Sequence, residues 1–321
     1  MSASTASRVL SGTTPVAPSK RRAVLAAVAA LHYRPNLVAQ GLARGRSHAI
    51  GVLTQEISHL FYSQILGGIE HGLRGSGYYP VFASGGTPED CKRALDLLLS
   101  FPVDALAVVG GSVPDDDLLR IAEQLPLVAI ARTLHGLDER CVHVANIEGA
   151  YSATRYLIEL GHRRIAHITG PSSHADSVDR VRGYEKALVD EGIGVDPRLI
   201  IEGDFGEESG FAAADGLLRS RVRFTALFAG NDQMARGAAL AFLRKGLRIP
   251  ADVSLVGFDD EPAAAYAWPP LTTVRQPTLK MGETAIRALL EDLQGRPFSV
   301  PHFRTELVIR DSTAAPAADP R

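Results

Sequence analysis

Short apolar runs alternate with amphipathic stretches of helical length from residue 48 to residue 258. The runs are rich in Val, Ile, Leu and Ala, as in ALAVV and SLVGF, and contain few polar residues. Strands that are buried on both faces have this continuous apolar pattern, and strands separated by helices form parallel sheets. The alternation therefore predicts an α/β fold built from doubly wound parallel sheets.

The predicted strands fall into two consecutive series, each long enough for a separate sheet. The first series comprises His48–Thr54, Tyr79–Ser84, Ala105–Val109, Leu127–Ala131 and Val142–Ala145. The second series comprises Ile165–Thr169, Leu199–Glu202, Ala226–Ala229 and Ser254–Phe258. Two series predict two lobes. Because ligands bind outside the carboxyl ends of parallel strands, two lobes that face each other share a binding cleft.

The first 55 residues differ from the rest of the chain in charge. They contain seven Arg and Lys residues and no Asp or Glu, whereas the remainder has 27 basic and 36 acidic residues. A basic arm on an acidic body is typical of nucleic-acid binding, because contacts to phosphate dominate the affinity. The alternative is a chance cluster or a solvated helix face. Hydroxyl side chains in the same segment favour the first interpretation; they belong to Ser2, Ser4, Thr5 and Ser7.

The same basic segment has helical patterns. Residues 2–11 predict a short helix, which Ser2 or Ser4 can cap. Lys20–Leu31 predicts a second helix from its Ala and Leu content. Asn36–Ala43, which follows Pro35, predicts a third.

Other classes of protein lack support in the sequence. Cys91 and Cys141 match no metal or CxxC spacing, so we expect thiols in a reducing cytosol. No signal segment or long apolar run is present, so we expect a cytoplasmic protein that binds no membrane. The motifs of phosphate loops, zinc hydrolases, serine hydrolases and dinucleotide-binding folds are absent. We therefore predict no metal, no cofactor and no enzymatic activity.

Polar and aromatic side chains follow the predicted strands at one edge of the sheets. Carboxylates, amides and guanidinium groups bind sugar hydroxyls, and aromatic rings stack on sugar C–H faces. These candidates are Phe61, Tyr62, Arg180, Phe205, Asn231, Asp232 and Asp259. Taken singly, an Arg or Asp in such a loop is more often a helix cap or a solvated charge. The Asp259-Asp260 pair also fits acid–base catalysis.

The ordered motifs resemble those of the lactose/galactose repressor (LacI/GalR) family over nearly the whole chain. SASTASRVLSG resembles the recognition helix of the family's helix-turn-helix, and HYRPNLVAQGLARGRS resembles its hinge helix. Further resemblances are LGHRRIAHITGP, NDQMARG, VSLVGFDD, PPLTTVRQP and LVIRDST. The stretch 113–144 is most similar to the galactose-repressor branch.

The resemblance implies a homodimer that binds operator DNA with one recognition helix per subunit in the major groove. Ser2, Ala3 and Ser4 would face base edges, and Thr5, Ser7 and Arg8 would touch phosphate or base. Asn36 would begin the hinge helix. Leu42 would be a wedge in a minor-groove base step; the alternative is a small apolar contact between helices.

The resemblance also implies a small sugar effector in the cleft. The matching positions are Gln55, Phe61 and Tyr62 in the first lobe, and Arg180, Phe205, Asn231 and Asp259 in the second. Phe205 would stack on the sugar ring, while Arg180, Asn231 and Asp259 would bind its hydroxyls. The chain departs from the family's pattern at Ala131, Ala145 and His59-Leu60, which bears on which ligand it takes.

We predict three regions on this basis. Residues 1–47 form a partial helix-turn-helix domain with the hinge helix, 48–313 form the effector-binding and dimerisation domain, and 314–321 form a disordered tail. The first lobe covers 48–145 and 276–304, and the second covers 146–274 and 305–313. The connections between the lobes are expected near residues 145–146, 273–276 and 304–306.

The family's first DNA-binding helix would precede Met1. A start codon assigned too far downstream, a trimmed chain or a loss of specific DNA binding would each account for this, and we favour the first. The sequence thus predicts a repressor whose operator affinity is controlled by a sugar. The alternatives are a cytosolic sugar-binding module without specific DNA binding, and an enzyme that acts on a sugar or nucleoside.

Overall fold

The computed structural model describes residues 2–11, 15–33 and 46–317. The predicted hinge helix, with Asn36 and Leu42, lies outside these residues. The N-terminal segment contributes helices α1 (Ala3–Ser11) and α2 (Pro18–Ala30), which are in contact. Thr5 N–H donates to the Ser2 carbonyl at 3.0 Å at the start of α1. Helix α2 starts two residues before the predicted Lys20, because proline is well tolerated in the first helical turn.

The first lobe is built on a five-stranded parallel sheet with the strand order β2-β1-β3-β4-β5. Its strands are β1 (Ala49–Thr54), β2 (Tyr79–Ser84), β3 (Ala105–Val109), β4 (Leu127–Ile130) and β5 (Cys141–Val142). Its helices are α3 (Leu60–Leu73), α4 (Pro88–Ser100) and α5 (Asp115–Ala122). Strands β1, β3 and β4 are buried along their whole length, as their apolar runs predict.

The second lobe is built on a four-stranded parallel sheet with the strand order β7-β6-β8-β9. Its strands are β6 (Ile165–Thr169), β7 (Ile200–Glu202), β8 (Ala226–Ala229) and β9 (Ser254–Val256). Its helices are α6 (Asn146–Glu159), α7 (Ala175–Asp190), α8 (Glu207–Ser220) and α9 (Asp232–Arg244). The two doubly wound lobes confirm the predicted fold class.

Helix α10 (Thr278–Asp292) completes the first lobe, although it follows the second sheet in sequence. Its residues Met281, Ile286 and Leu289 are fully buried in one core with Ile65 and Ile69 of α3. The two helices approach closely because their contact contains glycines. A Cβ at Gly68 would lie 2.0 Å from the Leu279 carbonyl oxygen.

The segments between the lobes lie side by side. Strands β10 (Thr273–Arg275) and β11 (Glu306–Val308) pair antiparallel. The strand that we predicted over Val142–Ala145 ends at Val142, because Val144 pairs with Phe303 instead of with β4. The connections thus form a small element of their own beside the cleft.

Both ends of the effector region are held by hydrogen bonds. The Asp104 carboxylate accepts from the backbone N–H groups of Ser47 (2.8 Å) and His48 (2.9 Å), and from the Ser47 hydroxyl at 2.9 Å. At the other end, Ala314 N–H donates to the Ser254 hydroxyl at 3.0 Å. The disordered tail that we expected from residue 314 is therefore ordered at its start. Residues 318–321 lie outside the described part of the chain.

Candidate functional site: a cleft between the two lobes

The strand orders place the carboxyl ends of both sheets at the cleft. In each sheet the order reverses between two neighbouring strands, β1 and β3 in the first lobe and β6 and β8 in the second. Loops that leave such a pair diverge to opposite faces and open a crevice. The residues that follow β1, β6 and β8 therefore face one another across the lobes.

These residues enclose a cavity of about 120 Å³. A single water molecule needs only about 10–15 Å³, so the cavity has room for a small organic molecule. All seven effector residues expected from the sequence line it; they are Gln55, Phe61, Tyr62, Arg180, Phe205, Asn231 and Asp259. Ala131 and His59 also line it. Five more residues that our expectation did not include contribute as well; they are Glu56, Pro171, His174, Asp176 and Asp204.

Arg180 is the most connected side chain of the cavity. Its Nε donates to Asn146 Oδ1 at 2.9 Å, and its Nη1 donates to the Gly230 carbonyl. The guanidinium carbon lies 3.9 Å from the ring centroid of Phe258, a cation–π distance. Only 5% of the side chain is exposed. Arg180 is thus fixed in position before any ligand arrives.

Asp259 lies beside this guanidinium group. Its Oδ1 is 3.8 Å from Arg180 Nη1 and accepts a hydrogen bond from Gln276 Nε2 at 2.6 Å. Burial raises the pKa of Asp259 to about 7, and Arg180 opposes the shift. The φ of Asp259 is 112°, a left-handed value that costs energy for a residue with a side chain. Such strain is typical of binding and catalytic sites.

The two carboxylates of the Asp259-Asp260 pair diverge. Asp260 accepts hydrogen bonds from Arg275 Nε at 2.7 Å and from Arg310 Nη2 at 2.6 Å. Asp260 does not line the cavity. A general acid and a general base must both reach the same substrate, and this arrangement does not provide that.

Phe205 depends on a glycine in the opposite loop. A Cβ at Gly170 would lie 2.0 Å from the Phe205 ring, so only glycine leaves room for it. Phe205 itself has a positive φ of 71°. His174 packs edge-on against the ring at 5.7 Å between centroids. The ring is thereby presented as an apolar wall of the cavity.

Asn231 has a structural task besides lining the cavity. Its Oδ1 accepts the N–H of Met234 at 2.9 Å and caps α9, and its Nδ2 donates to the Phe205 carbonyl at 2.9 Å. An amide group has two N–H donors, so one donor is left for a ligand. Asn231 is therefore a helix cap, as the alternative interpretation of the sequence has it, and also part of the cavity wall.

Asp176 is the most informative residue that sequence reasoning missed. It lies in the first turn of α7, partly exposed to the cavity, and its Oδ1 accepts from Asn146 Nδ2 at 3.0 Å. Burial raises its pKa above the usual Asp value. A usable signal was present, since Asp176 precedes Arg180 by four residues, a spacing that puts both on one helix face.

On the opposite wall, the Tyr62 hydroxyl donates to Gln55 Oε1 at 3.1 Å. The neighbouring His59 Nδ1 is buried without a hydrogen-bond partner, and burial lowers the pKa of His59. The described residues contain no group of three or more His, Cys, Asp or Glu side chains that could hold a metal ion. No helix within them is long and apolar enough to cross a membrane.

The residues expected to contact DNA are separate from this cavity. Ala3, Ser4, Thr5, Ser7 and Arg8 lie on α1, directly after Ser2. The Ser2 hydroxyl lies 2.9 Å from those of both Ser4 and Thr5, so these polar groups cluster at one helix end. Arg8 Nε donates to the Ser4 carbonyl at 3.3 Å.

The chain is similar to known regulators. It is 33% identical over 323 residues to the HTH-type transcriptional regulator GalR of Escherichia coli (strain K12), which covers 99% of this chain and 94% of that protein. A lac repressor dimer bound to operator and the anti-inducer ONPF has a TM-score of 0.87 and 31% identity, with 97% of this chain and 95% of that chain covered. A complex of the transcriptional regulator CelR with cellobiose has a TM-score of 0.76 and 33% identity, with 95% and 94% covered.

Residues 154–313 match the family of periplasmic binding protein-like domains. Two parallel-sheet lobes around a shared cavity define a protein of that class. The identity and coverage above are more specific, because they extend to the N-terminal helices. The chain belongs to the LacI/GalR family of transcriptional regulators.

Proposed function

We propose that this chain is a DNA-binding repressor whose operator affinity is controlled by a small sugar bound between the lobes. The observation that carries the proposal is the convergence of seven side chains, distant in sequence, on one cavity. They combine hydrogen-bonding groups with the Phe205 ring, as a sugar requires. The proposal includes no catalytic role, because Asp260 pairs with Arg275 and Arg310 outside the cavity and does not reach a ligand together with Asp259.

A change in lobe closure would carry the signal from the sugar to the DNA. The cavity has walls from both lobes, so a bound sugar favours one closure angle. Asp104 of the first lobe accepts hydrogen bonds from Ser47 and His48. These two residues are where the N-terminal segment joins this lobe. A movement of this lobe therefore reaches the DNA-binding segment. Coupling of this kind amounts to about 1–3 kcal/mol.

The DNA side of the proposal rests on the basic N-terminal segment. Ser2, Ala3 and Ser4 would read base edges in the major groove, with Thr5, Ser7 and Arg8 on phosphate or base. Asn36 would begin the hinge helix, and Leu42 would enter a minor-groove step. The operator-bound lac repressor, similar over 97% of this chain, supports this arrangement.

We propose a homodimer that acts in the cytoplasm. The similar lac repressor structure with bound operator is a dimer. Large apolar side chains on the surface of this chain would be covered by a second copy, among them Tyr266 and Trp268, which are 90% and 96% exposed. The region boundaries at residues 47, 145, 276 and 304 remain part of this proposal.

Thermal unfolding with a panel of pentoses, hexoses and disaccharides tests the sugar. A ligand at a hundredfold excess over Kd stabilises the folded state by about 2.7 kcal/mol. We expect one sugar class to raise the melting temperature, and Asp259→Ala to abolish that rise. If no sugar raises it, the effector part of the proposal is wrong.

Selection from a random-sequence DNA library, with and without the stabilising sugar, tests the regulator. We expect one palindromic sequence to be enriched and its binding to change when the sugar is added. A sugar that binds while no DNA sequence is enriched would instead indicate a sugar-binding module without specific DNA binding.

A further inference from the structure

The cavity has more carboxyl groups than permanent cations in its lining. Of the described residues that line it, four are carboxylates, namely Glu56, Asp176, Asp204 and Asp259, and only Arg180 is a permanent cation. His59 and His174 also line it, and burial lowers the pKa of both rings, which keeps them neutral near pH 7. A ligand therefore meets more carboxyl groups than permanent cations, and burial, which raises the pKa of Asp176 and Asp259, favours the neutral forms of these two.

Arg180 is poorly placed to receive an anion. Two of its nitrogen atoms already donate to Asn146 and to the Gly230 carbonyl. The Asp259 carboxyl group lies 3.8 Å from Arg180 Nη1. An arginine that captures phosphate or carboxylate normally offers two parallel N–H groups to it. Here an anion that used the Nε edge of the guanidinium group would have to displace the bond to Asn146.

Helix N-termini at the cavity do not reverse this balance. The N-terminus of a helix attracts anions through its free N–H groups and its dipole. However, α7 carries the carboxylate of Asp176 in its first turn, and the N-terminus of α9 is capped by Asn231. The start of α7 thus already carries a carboxyl group, and one free N–H group at the start of α9 is taken by Asn231.

Asp176 is suited to accept hydrogen bonds from a hydroxyl group. One carboxylate oxygen accepts from Asn146 at 3.0 Å, and the side chain is partly exposed to the cavity. A sugar hydroxyl that donates to this carboxylate stabilises it, whereas a phosphate or carboxylate group in the same place repels it.

We infer that the effector is a sugar without negative charge, and that Asp176 and its neighbouring carboxylates exclude phosphorylated and acidic sugars. This inference rests on the proposed function and specifies the ligand of the same cavity. It depends on the charges and hydrogen bonds of this chain's own side chains.

Calorimetric titration of neutral hexoses and pentoses, of their terminal phosphates and of the corresponding uronic acids tests the inference. We expect the phosphate and the uronic acid of the best neutral sugar to bind at least about tenfold more weakly than the sugar itself, because like charges brought together oppose binding. A phosphate that binds as tightly as its parent sugar would overturn the inference and leave the proposed function intact. If no member of the panel binds, the proposed function fails, and the inference with it.

The variant Asp176→Asn tests whether the charge of Asp176 excludes negatively charged sugars. Asparagine keeps an oxygen that can accept from Asn146, so the fold is preserved while the charge is lost. We expect the ratio of neutral to phosphorylated affinity to fall by at least about threefold, as removal of one repulsive charge would give. The matched control is Asp190→Asn at the far end of α7, where the ratio should stay unchanged. An unchanged ratio in Asp176→Asn as well would contradict the role of Asp176.

Discussion

Arg180 Nε and Asn146 Oδ1 form a hydrogen bond of 2.9 Å that joins the cavity to the first residue of α6. Asn146 follows directly after Ala145, whose N–H donates to the Phe303 carbonyl in the segments that connect the lobes. Asn146 also holds Asp176. A single arginine is thus linked both to the cavity wall and to the connection between lobes.

Arg180→Lys should therefore destabilise the protein although it keeps the charge. A lysine ammonium cannot donate to Asn146 and Gly230 and lie flat on Phe258 at the same time. We expect the free energy of unfolding to fall by about 2–3 kcal/mol, with loss of sugar binding, because buried polar groups lose partners. Urea unfolding and calorimetry measure both effects.

The control is Arg182→Lys on the exposed face of α7, where Arg182 pairs with Asp179. Its stability should stay within about 0.5 kcal/mol of the original protein. If Arg180→Lys is as stable as this control, the hydrogen bonds of the Arg180 guanidinium group contribute little to the free energy of unfolding.

Gly170→Ala should displace the Phe205 ring. The added Cβ would be 2.0 Å from that ring, so the ring or its loop must move. We expect sugar affinity to fall about tenfold or more and stability to fall by about 1–3 kcal/mol, as for overpacking elsewhere. The control is Gly194→Ala, where nothing lies within 4 Å of the new Cβ. Equal effects of the two variants on sugar affinity would contradict the role of Gly170.

Asp259 should make stability depend on pH. Its folded-state pKa is about 7, above the unfolded value near 3.9. Between these two pKa values the folded state binds one proton more than the unfolded state. The stability that Asp259 contributes is therefore complete below pH 4 and is lost as the pH rises to about 7. Asp259→Asn removes this loss. We expect the variant to gain stability relative to the original protein between pH 5 and pH 8.

Urea unfolding of Asp259→Asn and of the original protein at pH 5 and pH 8 measures this gain in stability. The control is Asp116→Asn, which changes an exposed carboxylate on α5 and should give no such gain in stability. A constant difference between Asp259→Asn and the original protein across this range would mean that Asp259 ionises normally in the fold.

Asp104→Ala should weaken communication between the cavity and the DNA. The substitution leaves the N–H groups of Ser47 and His48 without their acceptor. We expect a loss of about 1–3 kcal/mol in stability, and a smaller change in DNA affinity on sugar addition. Fluorescence anisotropy with the selected operator measures the coupling. The control is Asp96→Ala on the exposed face of α4, which should leave the coupling unchanged. An unchanged effect of sugar on DNA affinity in Asp104→Ala would show that the hydrogen bonds of Asp104 are not needed for the coupling.

Local patterns in the sequence were sufficient to predict most of the sheets. The apolar runs around Ile50, Leu106 and Val128 are continuous because these strands are covered on both faces. The edge strand β5 was predicted too long, since Val144 pairs with Phe303 far along the chain. Pairing of distant segments leaves no periodic signal, and the same applies to β10 with β11.

The cavity was predictable where residues directly follow strands. Asn231 and Asp259 follow β8 and β9 closely, so their positions are fixed by the sheet edge. Asp176 was indicated by its four-residue spacing from Arg180, whereas His174 depends on how the loop after β6 enters α7, which the local pattern does not specify. The role of Asn231 as a helix cap follows from its position alone, whereas its bond to Phe205 required the structure.

The docking of α10 on α3 has a consequence for the order in which the chain can fold during synthesis. Ile65 and Ile69 belong to a core that is completed by Met281, Ile286 and Phe303. More than 200 residues separate the two halves of this core, as their numbers show. A ribosome therefore releases nearly the whole polypeptide before the first lobe can bury its apolar surface. Truncations that end before residue 278 would leave that surface open to aggregation.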